Sequence, residues 1–225
     1  YPDWEASDHP DFMYWSSVSN RVGSTSPWSV DQLLDKSVQE QIDELLGFQS
    51  DGFDGVDRWG LTSCVQEACK NNLEWALSLA DILHKRSNWT SDLWGAFFRG
   101  LGESVLALQD QEKIFTVFYE LNLTKEFPGG TANMLRIFAK NGLSAPAFDS
   151  QANEVALRIW SQLGSDELDD GIDDWLSKAT NRPAGILVDF WLSSLSSEMK
   201  GKNSEDRYIP ENYKRVFADI VQESS

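Results

Sequence analysis

Histidine and cysteine are scarce in this 225-residue chain, which holds two of each: His9, His84, Cys64 and Cys69. A zinc site needs three or four converging nitrogen and sulfur donors, so almost no ligand set remains for one. On a helix, the five-residue spacing of the cysteines turns them about 140° apart, too divergent for a shared bond or ligand. Both read as reduced, small core residues. Positive charge is also short, with 19 Lys and Arg against 36 Asp and Glu and a formal net charge of −17. That balance repels nucleic-acid phosphates and anionic lipid headgroups, so neither nucleic acid nor a membrane surface is expected as a partner. Apolar runs fall short of the roughly 18 residues needed to cross a bilayer, and no signal-peptide pattern occurs. A cytoplasmic location is therefore the expectation. Nucleophile-elbow, phosphate-loop and dinucleotide-binding motifs are missing, as is any Cys/His pair in register. Neither catalysis nor a cofactor is expected of this chain, which reads as a piece of a larger multidomain protein.

Apolar material is ample. With 41% hydrophobic and 12% aromatic residues, folding should bury roughly 70% of the unfolded surface. From residue 29 onward the apolar spacing is helical and no stretch shows the period-2 alternation of a strand. The expected class is all-α. Ser29 with Gln32 and Ser37 with Glu40 fit capping boxes and predict helices over 29–36 and 37–48. The Asp51 to Asp57 segment reads as a loop. Helices follow over 59–70 and 72–86, joined by the short Asn71-Asn72 link. Thr90 or Ser91 is expected to cap the next helix, and another covers 109–121. Pro128-Gly129-Gly130 should interrupt the pattern before a helix over 132–140, which Asn141-Gly142 stops. Further helices are expected after Pro146, from Asp169 to Thr180, after Pro183 and after Pro210.

Helices starting near 72, 109, 149 and 182 recur at 33 to 40 residues, the period of helical-hairpin repeats. No strict consensus accompanies the spacing, so an irregular HEAT-like α-solenoid is the reading, with a globular helical bundle as the alternative. Residues 1–28 differ in character. Trp4, Phe12, Tyr14, Trp15 and Trp28 stand among Pro, Ser and Asp and suggest an irregular aromatic cap on a helical-repeat domain spanning 29–225.

Candidate chemistry reads mostly as structure. Asp51, Asp54 and Asp57 lack the ligand alternation and closing glutamate of an EF-hand and read as a solvated turn. The carboxylates Asp166, Glu167, Asp169, Asp170, Asp173 and Asp174 sit where a helix N-terminus favours negative charge. They also raise the possibility of a glycosidase acid/base pair. Trp94, Trp160, Trp175 and Trp191 fall on apolar helix faces and read as core. The sequons at Asn88 and Asn122 read as helix-boundary chemistry. Phe53, Trp59 and Trp89 are large rings in or beside loops, and these three are the candidate partner-binding residues.

The run Ser26-Pro27-Trp28-Ser29-Val30-Asp31-Gln32-Leu33-Leu34 is followed by Ser37-Val38-Gln39-Glu40. A second run goes from Trp175-Leu176-Ser177-Lys178-Ala179-Thr180 through Asn181-Arg182-Pro183-Ala184-Gly185 to Phe190-Trp191-Leu192. Across most of residues 20–200 the chain resembles the helical C-terminal region that follows the NAD-consuming domain of bacterial defence-associated sirtuins. The resemblance implies a sensor or regulatory module of an anti-phage protein, which binds a phage protein or controls the neighbouring effector. It transfers no catalytic residue, and it leaves homo-oligomerisation through the parent protein open. An architectural or oligomerisation module is the alternative function. A Trp-rich carbohydrate-active helical enzyme, dependent on Asp169 or Asp173, is the third.

Overall fold

The computed structural model describes residues 25–50, 55–141, 146–163 and 182–200, together with residues 211, 214, 217 and 218. Phe53, the acidic run from Asp166 to Asp174 and most of the expected N-terminal cap lie outside the described residues. Among the described residues every regular element is an α-helix, and the chain is all-α. An isolated parallel bridge between Thr25 and Val56 is the sole β-type pairing there.

The helices are α1 (Val30–Leu34), α2 (Val38–Gly47), α3 (Arg58–Asn71), α4 (Leu73–Lys85) and α5 (Leu93–Glu103). Then come α6 (Leu108–Glu120), α7 (Leu123–Glu126), α8 (Pro128–Lys140), α9 (Pro146–Trp160) and α10 (Pro183–Met199). Their starts follow local chemistry, because free N-terminal amides need acceptors. The Ser29 hydroxyl accepts from Gln32 N at 3.3 Å while Gln32 Oε1 accepts from Ser29 N at 2.8 Å, closing the expected box. At α2 only the carboxylate half operates as expected. Glu40 Oε2 accepts from Ser37 N at 2.9 Å and also from the Ser37 hydroxyl at 2.6 Å, which commits that hydroxyl as a donor. Asp57 caps α3 by accepting from Gly60 N at 2.6 Å. Asn72 alone joins two helices: its N–H closes α3 on Ala68 O, and its side chain caps α4 by accepting from Trp75 N at 3.0 Å. Of the two residues expected to cap α5, Ser91 does so: its Oγ accepts from Leu93 N at 3.2 Å, while Asp92 beside it makes no side-chain capping bond.

One expectation fails. Pro128-Gly129-Gly130 does not interrupt a helix but forms the first turn of α8. Proline is tolerated at that position because the first amide needs no intrahelical acceptor and the ring fixes a helical φ. Gly130 answers to packing: a Cβ there would stand 2.9 Å from the Phe98 ring. The short helix α7, which the spacing does not announce, starts from Asn122 at a φ of 56°. Asparagine tolerates this left-handed conformation better than most residues.

Packing divides the helices into two layers. In the first, α3 lies on α5, α5 on α8 and α8 on α10; in the second, α2 lies on α4, α4 on α6 and α6 on α9. Consecutive long helices therefore alternate between layers, as helices of stacked hairpins do. The α3–α5 crossing is close because Gly100 has no side chain. A Cβ there would overlap Gln66 O and stand 2.6 Å from Cys69 Cβ.

Between the layers runs a chain of rings. Trp89 stacks on Trp94 at 5.7 Å and 13°; Trp94 meets Phe127 at 4.9 Å, and Phe98, Phe118, Phe115 and Phe138 continue the series. Each such pair adds about 0.5–1.5 kcal/mol beyond simple burial. The indole N–H groups are mostly satisfied: Trp75 donates to Leu33 O at 3.1 Å, Trp94 to Asn88 O at 3.0 Å and Trp191 to Asn153 Oδ1 at 2.8 Å. Arg58 braces the first helices. Its guanidinium grips both oxygens of Asp92 at 2.5 and 2.8 Å and also donates to Leu45 O.

Candidate functional site

Of the three rings singled out in the sequence, Phe53 lies outside the described residues. The other two part company. Trp59, on the first turn of α3, is 69% exposed, whereas Trp89 is half-buried between His84, Trp94 and Phe127. Trp89 thus packs beneath its loop, and no groove brings it together with Trp59. Trp94 and Trp191 are buried in the core, and Trp160 packs against it.

The cysteines are free and both are buried. Cys64 Sγ donates to Trp28 O at 3.1 Å, and Cys69 is fully enclosed. Burial pushes both thiols above their ordinary range, so neither is disposed to react as a thiolate. Among the described residues no three His, Cys, Asp or Glu side chains stand close enough to hold a metal ion. No described helix is long and apolar enough to cross a membrane.

Among the described residues a concavity lies where α6 and α9 meet. Phe115, Thr116, Tyr119 and Glu120 line one wall and Gln151, Glu154 and Val155 the other, around about 240 Å³. The spacings explain the shape: 115, 119 and 116, 120 share one stripe of α6, while 151, 154 and 155 share one stripe of α9. Phe115 and Val155 are buried and form the floor, whereas Tyr119 is 59% exposed at the rim. Arg158 holds that ring in place, with its guanidinium carbon 4.9 Å from the centroid and Nη2 donating to Asn122 Oδ1 at 3.0 Å. The left-handed turn at Asn122 therefore serves the groove as well as α7. Pockets for drug-sized molecules usually enclose about 300–1,000 Å³. This groove is smaller and suits a single large side chain.

Its surroundings are acidic. The second layer's four helices carry ten Asp and Glu residues against three Lys and Arg, while those of the first carry four against five. The second layer's own cations are already engaged: Lys85 with Asp81 at 2.6 Å, Lys113 with Glu74 at 2.7 Å and Arg158 with Tyr119. Hydrogen bonding to Glu74 raises the Lys113 pKa above its ordinary value. Asp43 is likewise held below its ordinary value by the Arg86 guanidinium. Glu120 and Glu154 at the groove have no cationic partner among the described residues. Sequence reasoning missed this site. Tyr119 and Glu154 look like ordinary exposed helix positions, and nothing in their spacing tells which neighbouring helix will face them.

No protein family, curated protein or solved structure matches the chain.

Proposed function

We propose that the chain is a non-catalytic protein-interaction domain. It acts as the sensor or regulatory part of a bacterial antiviral protein, binding a phage protein or a neighbouring domain of its own parent. The observation that carries this reading is the α6/α9 groove, an apolar floor with a fixed exposed ring at its rim, set in a layer whose carboxylates outnumber its cations. Interfaces are commonly built this way, with an aromatic anchor at the centre and charge arranged to steer the partner. The antiviral setting rests on the likeness of the helix-cap and packing segments to defence-associated sirtuins, and the cytoplasmic location on the missing signal-peptide pattern.

The test uses the purified chain as bait in lysates of phage-infected and uninfected bacteria. A phage protein recovered only after infection is the expected result. Recovery of the chain alone from both lysates would favour the architectural reading. A parent protein that still halts infection after deletion of this domain would overturn the sensor role.

A further inference from the structure

We infer that the α6/α9 groove receives one apolar side chain of a lysine- and arginine-flanked amphipathic helix from a partner protein. The inference rests on the interaction reading above and names the chemistry of the partner.

Three features select this occupant. The groove's volume of about 240 Å³ is too small for a folded element but enough for a single large anchor. Phe115 and Val155 supply an apolar seat, and Arg158 fixes the Tyr119 ring beside it, so little side-chain freedom is lost on docking. Glu120 and Glu154 stand on opposite walls. A helix laid along the groove would place an anchor at i and cations three or four residues to either side, within reach of both carboxylates.

Charge decides among the polypeptides that could offer such an anchor. The layer's own cations are spoken for, so its excess carboxylates favour a basic visitor. A second copy of this chain would bring its own −17 against that field and is disfavoured. An acidic or neutral amphipathic helix would fill the seat without satisfying the rim.

The probe is a fluorescein-labelled synthetic helix with leucines on one face and lysines on the other, titrated into the full chain by anisotropy. Two control peptides accompany it, one with every lysine replaced by glutamate and one with every leucine replaced by alanine. Glu154→Lys and Tyr119→Ala are each expected to weaken binding by about tenfold, while Glu44→Lys, exposed on α2 of the same layer, changes it by less than about twofold. Hydrogen exchange should show protection at the C-terminal half of α6 and the middle of α9.

Equal weakening by Glu44→Lys, or equal binding of the alanine peptide, would reduce the effect to diffuse charge attraction and overturn the proposal. No binding, protection elsewhere, or self-association that buries α6 and α9 would do the same. The groove and the wider function fail separately. A phage protein captured equally by wild type and by Glu154→Lys would leave the interaction reading standing without the groove. Groove-specific peptide binding without any captured partner would do the reverse.

Discussion

The helices of the first layer, α3, α5, α8 and α10, contain seven glycines, whereas those of the second, α2, α4, α6 and α9, contain one, at the end of α2. Charge divides the other way, near balance in the first layer and strongly acidic in the second. The two layers thus solve different problems. In the first, Gly100 and Gly130 remove side chains where another element must pass, and the helices meet closely. In the second, helices meet through side chains, and the junction of α6 with α9 stays open enough to form a groove. Glycine costs about 0.5–1 kcal/mol per helix-interior position relative to alanine, so such sites persist where close contact returns more than that.

The sharpest way to break this contrast is Gly100→Leu. Its side chain has no room against Gln66 and Cys69, and a cost of about 3 kcal/mol or more is expected, read as a lower urea midpoint. The next test lies in the second layer. The Gln111 side chain is fully buried, and neither of its amide atoms has a hydrogen-bond partner in the protein. Gln111→Met should raise stability by about 1 kcal/mol, since it removes an unpaired polar group at similar volume. A fall of that size would mean the amide is satisfied in solution.

Gly47→Ala is the counterpart of the Gly100 change. A Cβ there meets nothing within 4 Å, so a gain of about 0.4–1 kcal/mol is expected from the less flexible unfolded chain. Loss of stability in its place would show that glycine serves the second layer too. The smallest effect concerns pH. The Arg86 guanidinium holds Asp43 below its ordinary value, so its contribution is present above the ordinary carboxylate range and fades as pH falls through the folded value. Asp43→Asn should therefore be less stable than wild type at neutral pH, and the two should converge in acid. A gap that persists below pH ~2 would assign the effect to packing rather than ionisation.

Much of the fold was legible because helices announce themselves locally. Ser29 with Gln32 and Ser37 with Glu40 mark their helices through residues three apart, and the apolar stripe of α4 needs no knowledge of its neighbours. Pro128-Gly129-Gly130 opens a helix where its composition suggests a break, because Gly130 answers to Phe98 on another helix, which no local pattern shows. The groove was hidden for the same reason. Glu154 becomes interesting only once α9 is set against α6, and that pairing joins helices whose contact no local pattern records. Loop position proved a weak guide to exposure as well. Trp59 stands out into solvent at the start of a helix, while Trp89, within a loop, turns inward to stack on Trp94.

The alternation of the helices between layers also bears on how the chain assembles. Among the described residues each long helix packs chiefly on elements one to three places away in sequence. Contacts of that range can form in the order in which the helices are made, without waiting for the far end of the chain. On the ribosome, α2 to α5 should therefore consolidate while α8 to α10 are still being made, with the α6/α9 groove among the last features to form.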